Sequence, residues 1–284
     1  MAATLVVYKR SMYELYRGSP DKKARDFVNG NTPDAVGIRN SHETQQKTLE
    51  IVVSALEAEG IKHEEIYRAK LQAYSGIDKN DLVVSVGGDG TFLEVSHYLS
   101  KVPLLGVNSD PKTSIGFFCT ADAGTFQGIL RNIRNAKLTE LSRLELELDG
   151  KRMPKLVLNE ILVAHTNPAT VTRYRLSADN FRQEYKCSGL LVCTPAGSTA
   201  WMYNEGGVVM PLTAREMQYF SRGLRGESPK FVKELAVQSL TREGKIYVDG
   251  AHVQYDFTLG SQLRIRSGSP LTVVGDLEAK RLKF

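Results

Sequence analysis

Apolar residues in the first third of the chain form both strand-like runs and a helix-like spacing. Three short runs of β-branched and apolar residues predict buried strands, at residues 4–8, 82–86 and 104–107. A helix over about Phe92–Leu99 would join the last two strands. Parallel neighbouring strands need such a crossover, so this part of the chain predicts a doubly wound α/β sheet.

The spacing of apolar residues changes near position 40. Residues 11–40 carry Arg, Lys, Asp, Asn and Gly without clean periodicity, which predicts a polar excursion rather than a regular element. From Asn40 onward the spacing is helical, and Gly60 is a candidate C-terminal stop. The apolar face of this predicted helix is formed by Leu49, Val52, Val53 and Leu56.

After about residue 140 the hydrophobic pattern has a period of two. Leu144–Leu148 alternates strictly and is followed by the turn-forming pair Asp149-Gly150, which predicts a β-hairpin. Residues 205–235 are charged and irregular, so a flexible loop or a partly helical insertion is expected there. The predicted fold class is therefore a doubly wound, Rossmann-like α/β N-terminal domain and a β-rich C-terminal domain. Other strand-like runs of the second part occur at 156–164, 171–177, 190–193, 246–248, 253–259, 263–266 and 271–274.

Length and composition fit a globular protein of two modest domains, with 284 residues, 42% hydrophobic and 24% charged. A net charge of +5 suits anionic ligands such as nucleotides, but no basic run or zinc-finger pattern predicts nucleic-acid binding.

No apolar stretch approaches the ~18 residues of a membrane span. The N-terminal residues lead directly into the first predicted strand, so neither a secretion signal nor a transit peptide is expected. The three cysteines form no CxxC pair, which predicts reduced thiols and fits a cytoplasmic protein. The five histidines are scattered and form no recognisable metal-binding motif.

The richest motif for chemistry is Gly87-Gly88-Asp89-Gly90-Thr91, which follows a buried strand and opens a helix. Glycines let an anion approach the backbone closely, and the N–H groups of the following helix favour a phosphate. A carboxylate beside a phosphate is costly unless it binds a metal or accepts a proton, and phosphoryl transfer uses both roles. The alternative is that Asp89 only caps the helix. Neither the Walker pattern nor GxGxxG is present.

This motif resembles the signature shared by NAD kinases and by diacylglycerol and sphingosine-type lipid kinases. Several further segments resemble NAD kinases specifically and come in the order of that family. These segments are Gly106-Val107-Asn108 with Ile115-Gly116-Phe117-Phe118, the pair Asn159-Glu160, Thr194-Pro195-Ala196-Gly197-Ser198-Thr199-Ala200-Trp201 with Gly206-Gly207, and the late turn Val248-Asp249-Gly250.

The resemblance implies an α/β domain over residues 1–135, completed by about 265–284, and a β-rich dinucleotide-binding domain over 136–264, with a cleft between them. It implies an NAD kinase that transfers a phosphoryl group from ATP to the 2′-hydroxyl of the adenosine ribose, with Mg²⁺ or another divalent cation. Homo-oligomers are usual in the family. Asp89 would be the catalytic base, and the glycine turn from Gly87 to Thr91 would bind phosphate. The residues expected to contact the dinucleotide are Gly90, Phe117, Asn159, Glu160, Ser188, Thr199, Ala200 and Asn204.

Three of these assignments have a structural alternative. Asn159 could cap a turn, Glu160 could be a solvated charge, and Phe117 could be a core residue. Trp201, the only tryptophan, could serve packing or form a wall of the pocket. The residues themselves leave these alternatives open.

The chain departs from the common NAD kinase pattern in three places. Ser188-Gly189 stands where many members have Asp-Gly, Trp201 replaces a tyrosine, and residues 109–114 lengthen the linker after Asn108. The mitochondrial-type branch of the family shares these forms, and the segment Tyr8–Glu14 also resembles that branch. The chain is therefore expected to lie nearer to it.

Two other functions compete with NAD phosphorylation. Glu94-Val95 resembles lipid kinases, although Asn159-Glu160 and the absence of an amphipathic basic helix argue against that class. A non-catalytic dinucleotide-binding protein is the second alternative, and Ser188 in place of the usual acid motivates it. The sequence leaves open whether the donor is ATP, another triphosphate or polyphosphate, and whether NAD or NADH is preferred.

Overall fold

A computed structural model describes residues 3–178 and 181–281 of the chain. The chain divides into two compact units. The first unit contains the described residues through Thr139 and those from Thr272 onward, and the second runs from Glu140 to Leu271. The last three residues of the segment 265–284, which the sequence assigns to the α/β domain, lie outside the described residues.

The first unit holds most of the helices, and short 3-10 turns connect several elements. The 3-10 turns span Arg68–Ala73, Ile77–Lys79, Ile133–Asn135 and Ala196–Thr199. The α-helices are α1 (Met12–Tyr16), α2 (Lys22–Asn29), α3 (Pro33–Ala58), α4 (Asp89–Ser96), α5 (Phe126–Arg131), α6 (Trp201–Asn204) and α7 (Leu277–Arg281). Within the described residues, no helix combines the length and the apolar character that crossing a membrane requires.

The described strands form three sheets. The strands are β1 (Ala3–Tyr8), β2 (Lys62–Tyr67), β3 (Leu82–Gly87), β4 (Leu104–Asn108), β5 (Cys119–Asp122), β6 (Leu138–Leu141), β7 (Leu144–Leu148), β8 (Lys151–Arg152), β9 (Glu160–His165), β10 (Thr172–Ala178), β11 (Phe181–Cys187), β12 (Gly189–Cys193), β13 (Met217–Arg222), β14 (Lys230–Val232), β15 (Glu234–Ser239), β16 (Gly244–Val248), β17 (Val253–Asp256), β18 (Gln262–Ser267) and β19 (Leu271–Val274).

The sheet of the first unit has the order β2-β1-β3-β4-β19-β6, with β5 paired to β4. Strands β1, β2, β3 and β4 are parallel neighbours. Val107 of β4 packs in a core with Val52 of α3 and Phe126 of α5. Its neighbour Gly106 faces the other side, where a Cβ would lie 2.9 Å from Phe92 of α4. Helices therefore cover both faces, which confirms the predicted doubly wound α/β domain.

The second unit consists of two six-stranded antiparallel sheets, β11-β10-β15-β18-β7-β8 and β14-β13-β12-β9-β16-β17. Both sheets contribute to one core, in which Leu176 and Ile265 of the first sheet meet Leu190 and Ile246 of the second. The strict alternation that the sequence shows at β7 reflects this arrangement, since one face of each sheet lines the shared core. The predicted hairpin β7–β8 and the β-rich class of this part are confirmed.

Two segments differ from their predictions. Residues 11–40 contain α1, α2 and the start of α3, because the side chains of Ser11, Asp21 and Thr32 accept hydrogen bonds from the first turn of each helix and Pro33 occupies the first turn of α3. Residues 205–235 contain β13 and β14 instead of a loop or helical insertion. Strand β13 is buried on both faces, so its sequence carries no alternation to detect.

Candidate active site

The glycine turn lies at the carboxyl end of β3, as the sequence predicts, and α4 begins within it at Asp89. A Cβ on Gly87 would lie 2.3 Å from Thr91 Oγ1 and 2.7 Å from Thr91 Cβ, so this position favours glycine, whereas one on Gly88 would lie 2.8 Å from Ser114 Oγ, a contact that rotation of the serine side chain relieves. Gly90 is exposed, and no atom lies within 4 Å of the position that a Cβ on this residue would occupy. The turn therefore presents backbone of α4 to solvent at a point where helical N–H groups favour an anion.

The side chain of Thr91 is buried within this turn and packs against it. Its side chain is 1% exposed, and Oγ1 makes no hydrogen bond within the described part of the chain. Its backbone N–H donates to the Gly88 carbonyl at 2.9 Å. The hydroxyl packs against Gly87 and faces away from solvent, and a direct contact between Thr91 and phosphate stays a prediction.

Asp89 is half-buried and its carboxylate holds the loop that carries Phe117. The N–H of Phe117 donates to Asp89 Oδ2 at 2.9 Å and that of Phe118 donates to Oδ1 at 2.8 Å. A carboxylate offers about four acceptor directions, so two remain for a ligand. Asp89 thus has a defined orientation at the start of α4 and retains acceptor capacity.

Polar side chains from three segments fix the loop between β4 and β5. Asn108 Nδ2 donates to the Ser114 carbonyl at 2.9 Å, and Gly116, with φ +57°, could not carry a Cβ without contacting this amide at 2.4 Å. Lys280 of α7 donates from Nζ to the carbonyl of Gly116 at 2.6 Å and to that of Cys119. The C-terminal helix therefore stabilises the loop that Asp89 also holds.

Phe117 is 7% exposed and lies edge-on to Phe118, with ring centroids 5.1 Å apart. The guanidinium of Arg281 lies 5.8 Å from the centre of the Phe117 ring. Phe117 is thus largely a core residue in this structure, and a contact with adenine stays a prediction. Burial, and then the charge of Asp89, raise the pKa of the neighbouring Cys119 thiol to about 12, so this cysteine is not a nucleophile near neutral pH.

In the second unit, Asn159 and Glu160 stand at the start of β9 and are held by Asp249. The Asp249 carboxylate accepts the N–H groups of Leu158, Asn159 and Glu160 at 2.8, 2.7 and 3.0 Å. The Asp249 N–H in turn donates to the Glu160 carbonyl at 2.9 Å. We call this arrangement the Asp249 cradle. It fixes the backbone of the Asn-Glu pair independently of what their side chains contact.

The segment after β12 packs directly on the same pair. A Cβ on Gly197 would lie 2.2 Å from the Asn159 carbonyl oxygen, so only glycine allows this approach. Thr194 N–H donates to that oxygen at 2.8 Å, and Thr194 Oγ1 donates to the Leu158 carbonyl at 2.5 Å. The small side chains of the Thr194–Ala200 stretch thus allow a close contact between two backbone segments.

Asn159 and Glu160 carry unsatisfied polar atoms. Both residues are less than 10% exposed, and neither Asn159 Oδ1 nor Glu160 Oε2 makes a hydrogen bond within the described part of the chain. Burial, followed by the charge of Asp249, raises the pKa of Glu160 to about 8. Buried polar atoms without partners are costly, so these two atoms are candidates for hydrogen bonds with water or a bound ligand. The interpretation of Glu160 as a solvated charge is wrong, since the side chain is buried.

The remaining predicted contacts differ in accessibility. Thr199 and Ala200 are half-buried at the end of the 3-10 turn, whereas Asn204 and Ser188 are exposed. Trp201 packs with Met202 on the outer face of the β9–β12 sheet, donates from Nε1 to Glu205 at 3.1 Å and stacks against the Arg222 guanidinium at 4.7 Å. Trp201 therefore has a packing role.

No group of three or more His, Cys, Asp or Glu side chains that could hold a metal occurs among residues 3–178 and 181–281. Mg²⁺ is commonly held by one or two carboxylates together with substrate phosphates. Asp89, with two acceptor directions left, fits a cation that enters with a phosphate ligand.

Two residues near these sites have positions that sequence reasoning missed. In the sequence Asp249 stands out only as part of an Asp-Gly turn, and Lys280 carries no signal. In the structure both Asp249 and Gly250 have positive φ, a backbone position that Asp-Gly pairs favour. Lys280 acts across 161 and 164 residues of sequence, so no local pattern could indicate it.

Comparison with known proteins places the chain in a class. Residues 31–138 match the model of the ATP-NAD kinase N-terminal domain. An NAD kinase of Archaeoglobus fulgidus, solved with ATP, superposes with a TM-score of 0.70 at 20% identity over 99% of this chain and 96% of that one. Yeast NADH kinase, solved with NADH, superposes with a TM-score of 0.73 at 18% identity, over 99% and 86%. The fold is thus that of the dinucleotide kinases.

Sequence relatives make the assignment specific. The chain is 35% identical over 265 residues to a probable NADH kinase of Oryza sativa subsp. japonica, covering 81% of this chain and 80% of the relative. It is 33% identical over 225 residues to NADH kinase of Arabidopsis thaliana, covering 67% and 71%. The chain belongs to the NAD kinase family, as its motifs predict, and the comparisons do not favour the lipid-kinase alternative.

Proposed function

We propose that this chain transfers a phosphoryl group from ATP to the 2′-hydroxyl of the adenosine ribose of NAD, giving NADP. Family membership supports the activity. The similar plant proteins are a probable NADH kinase of Oryza sativa subsp. japonica and NADH kinase of Arabidopsis thaliana. NAD and NADH carry the same adenosine ribose, so NADH is included as an acceptor. The observation that carries the proposal is the orientation of Asp89, whose carboxylate is fixed by two N–H groups at the start of α4.

In the proposed reaction, Asp89 accepts the proton of the ribose 2′-hydroxyl. The hydroxyl oxygen attacks the γ-phosphorus of ATP as it loses that proton. The bond between that phosphorus and the β,γ-bridging oxygen breaks, and ADP leaves. Positioning and charge neutralisation supply most of the rate in such transfers. The exposed backbone around Gly90 gives the phosphates N–H donors, and a bound Mg²⁺ would neutralise charge on the donor phosphates.

Asn159 and Glu160 are proposed to bind the dinucleotide through the atoms that lack protein partners. Asn159 offers both a donor and an acceptor to a ribose or base edge. Because its pKa is raised to about 8, Glu160 is mostly protonated at neutral pH and can donate a hydrogen bond as well as accept one. Phe117, Ser188, Thr199, Ala200 and Asn204 are proposed as further contacts.

Several finer features belong to the same proposal. We infer a cytoplasmic homo-oligomer that uses Mg²⁺, acts without nucleic acid or membrane, and lies nearer the mitochondrial-type branch of the family. The oligomeric state is tested by light scattering of the purified protein. Magnesium dependence is tested by titrating the activity with EDTA and restoring it with MgCl₂.

The central test is the formation of NADP or NADPH from NAD or NADH with ATP and Mg²⁺, read with an NADP-specific dehydrogenase. Asp89→Asn removes the proton acceptor, and we expect kcat to fall by about 10²–10⁴-fold, the usual contribution of a positioned base. Asp26→Asn is the matched control, since this aspartate of α2 is exposed and has only a 4.0 Å contact with Arg25.

Two results would contradict the proposal. If the parent protein binds NAD but forms no phosphorylated product with ATP, the chain is a non-catalytic dinucleotide-binding protein. If Asp89→Asn retains turnover within a few-fold of the parent, Asp89 is not the base.

A further inference from the structure

A cavity of about 490 Å³ lies in the first unit, where two strands share one edge of β4. Strand β19 pairs with Leu104 at the start of β4, and β5 pairs with residues 106–108 toward its end. The end of β19 therefore meets the start of β5, and Thr120 Oγ1 donates to the Val274 carbonyl at 2.5 Å beside the cavity. The volume is in the range of ligand pockets, which is about 300–1,000 Å³. All of the residues that line it belong to the first unit.

The backbone along this cavity is held in one conformation. The Gly275 N–H donates to the Lys137 carbonyl at 2.7 Å, and the Gly275 carbonyl accepts the Thr139 hydroxyl at 2.7 Å. Gly275 has φ +116°, and a Cβ there would lie 2.5 Å from Thr120 Cβ. The cavity therefore has a fixed boundary, as ligand sites that exist before binding do.

Three side chains that line the cavity are hydrogen-bond donors with capacity left. The Lys280 ammonium has three N–H groups, and two of them already donate to backbone carbonyls. Lys137 donates one N–H to Asp276 Oδ2 at 2.6 Å, which leaves two. The side-chain amide of Asn135 is exposed and makes no hydrogen bond within the described part of the chain. Donors therefore outnumber acceptors in this cavity.

The charge of the cavity favours an anion. Lys137 and Lys280 contribute two positive charges and Asp276 one negative charge, and no other charged residue of the described chain lines it. Asp276 is already engaged, since it accepts Lys137 and the N–H of Ala279. The remaining donors are one N–H of Lys280, two of Lys137 and two of Asn135. A phosphate group with three strong acceptor oxygens matches this set better than a carboxylate with two.

The rest of the wall is apolar. Ile129 of α5 and Ala136 are half-buried, and Val274 is buried. An apolar wall beside clustered donors matches a ligand that carries a small organic group on its phosphate. Inorganic phosphate alone would leave this wall without a partner.

We propose that this cavity binds a small phosphate monoester, with the phosphate at Lys137, Lys280 and Asn135 and the organic group against Ile129 and Val274. This ligand is distinct from NAD and ATP, which are assigned to the residues named above. The binding site stands independently of the kinase assignment, whereas its effect on NAD binding rests on the proposed function.

Lys280 connects the cavity to the glycine turn. Its ammonium holds the carbonyls of Gly116 and Cys119, and the N–H of Phe117 between them donates to Asp89 at 2.9 Å. A phosphate on the third N–H fixes the ammonium against both carbonyls, so the loop is ordered before NAD arrives. We expect the ligand to tighten NAD binding severalfold, and NAD to tighten binding of the ligand by the same factor.

The test follows binding of phenyl phosphate to the full chain by broadening of its ³¹P NMR line. Lys137→Met removes one cation, and its ion pair with Asp276 is exposed enough to contribute little to stability. We expect it to weaken binding about tenfold or more, as for loss of a charge-assisted hydrogen bond. Asn135→Asp keeps the shape of the side chain and should weaken binding similarly through like-charge repulsion. Lys101→Met and Asn31→Asp are the matched controls, since both residues are exposed in the same unit outside the cavity.

Two further titrations identify the source of the phosphate. Phenyl phosphate should bind severalfold more tightly than inorganic phosphate, because only the ester contacts the apolar wall. Phenol, which lacks the phosphate, should not bind measurably. Equal affinities for the ester and for inorganic phosphate would overturn the assignment to a monoester.

The results separate this inference from the proposed function. No broadening with the parent protein would overturn the site, and so would parental affinity in both Lys137→Met and Asn135→Asp, because phenyl phosphate would then bind elsewhere. An active kinase whose affinity for phenyl phosphate is the same with and without NAD would overturn the coupling. A parent protein that forms no NADP or NADPH refutes the kinase assignment, and the line broadening still decides the phosphate site.

Discussion

The Asp249 cradle can be tested by replacing its carboxylate with an amide. Asp249 Oδ1 accepts two of the three N–H groups, those of Asn159 and Glu160, and Oδ2 accepts that of Leu158. An asparagine can keep its oxygen at the first position, but its NH₂ group then faces the N–H of Leu158, and two donors cannot bond. Asp249→Asn therefore removes one of the three hydrogen bonds, and Asp249→Ala removes all three.

The magnitude follows from the number of buried N–H groups left without an acceptor. Each costs about 1–3 kcal/mol, so Asp249→Asn should lower the free energy of unfolding by about 1–3 kcal/mol. Asp249→Ala should lower it by roughly 3–9 kcal/mol, which is comparable with the whole stability of a domain. We expect the asparagine variant to fold and the alanine variant to accumulate poorly.

Thermal unfolding and steady-state kinetics together check this prediction. For a unit of this size, 1 kcal/mol corresponds to about 3–6 °C, so Asp249→Asn should lower Tm by roughly 3–18 °C. KM for NAD should rise, because the Asn159-Glu160 backbone loses one of its anchors. Asp256→Asn is the control, since this aspartate of the same unit is 82% exposed and has only a 3.8 Å ion pair with Lys245.

A Tm within 1 °C of the parent, together with an unchanged KM for NAD, would refute the reasoning. Such a result would mean that the three N–H groups find other acceptors at no cost. The same measurements on Asp249→Ala guard against a compensating contact of the asparagine amide.

Two further predictions concern the same unit. The pKa of Glu160 is raised from 4.5 to about 8, so the folded state binds this proton more tightly than the unfolded state does. The free energy of unfolding should therefore fall as pH rises between these two values. In Glu160→Gln, the urea concentration at the unfolding midpoint should change less with pH over pH 5–8 than in the parent protein. Gly197→Ala should destabilise the protein by about 1–3 kcal/mol and weaken NAD binding, because the added Cβ would lie 2.2 Å from the Asn159 carbonyl oxygen. Gly128→Ala in α5 is the control and should stabilise the protein, because no atom crowds the added methyl group there. Chemical denaturation of both variants measures the difference.

The central part of the α/β unit was predictable because its signals are local. A run of buried β-branched residues, a glycine cluster and an immediate helix leave few alternatives, and β3, the turn and α4 occur in that order. The predicted stop at Gly60 is confirmed as well, since α3 ends at Ala58 and Gly60 has φ +64°. Each of these features depends on residues within about ten positions of one another.

The failures have the opposite character. Helices α1 and α2 bury little apolar surface, only Val28 being buried in the two helices, and at five and eight residues they are too short for a repeated hydrophobic period. Their caps mark their starts, but single Ser, Asp and Thr residues are too common in loops to be decisive. Strand β13 lies between β12 and β14, and its pairing across the sheet, not its own pattern, defines it.

The two candidate sites share one structural device that the sequence does not display. Asp89 accepts the N–H groups of two residues 28 and 29 positions away, and Asp249 accepts those of three residues 89 to 91 positions away. In both cases a carboxylate orients a backbone segment that carries a proposed ligand contact, Phe117 in one and Asn159 in the other. Motif patterns show such an aspartate but not the segment that it holds.

This device affects how the Asp89→Asn experiment is interpreted, because Asp89 both holds Phe117 and is the proposed base. Loss of the proton acceptor alone lowers kcat and leaves KM for NAD unchanged, whereas a displaced Phe117 raises KM for NAD. Lys280→Met separates the two roles, because Lys280 holds the same loop through the Gly116 and Cys119 carbonyls. This substitution weakens the loop but leaves the carboxylate of Asp89, the proposed base, in place. If Asp89→Asn lowers kcat far more than Lys280→Met while both raise KM for NAD equally, the difference in kcat measures the base. If the two variants are kinetically alike, Asp89 acts only by positioning the loop.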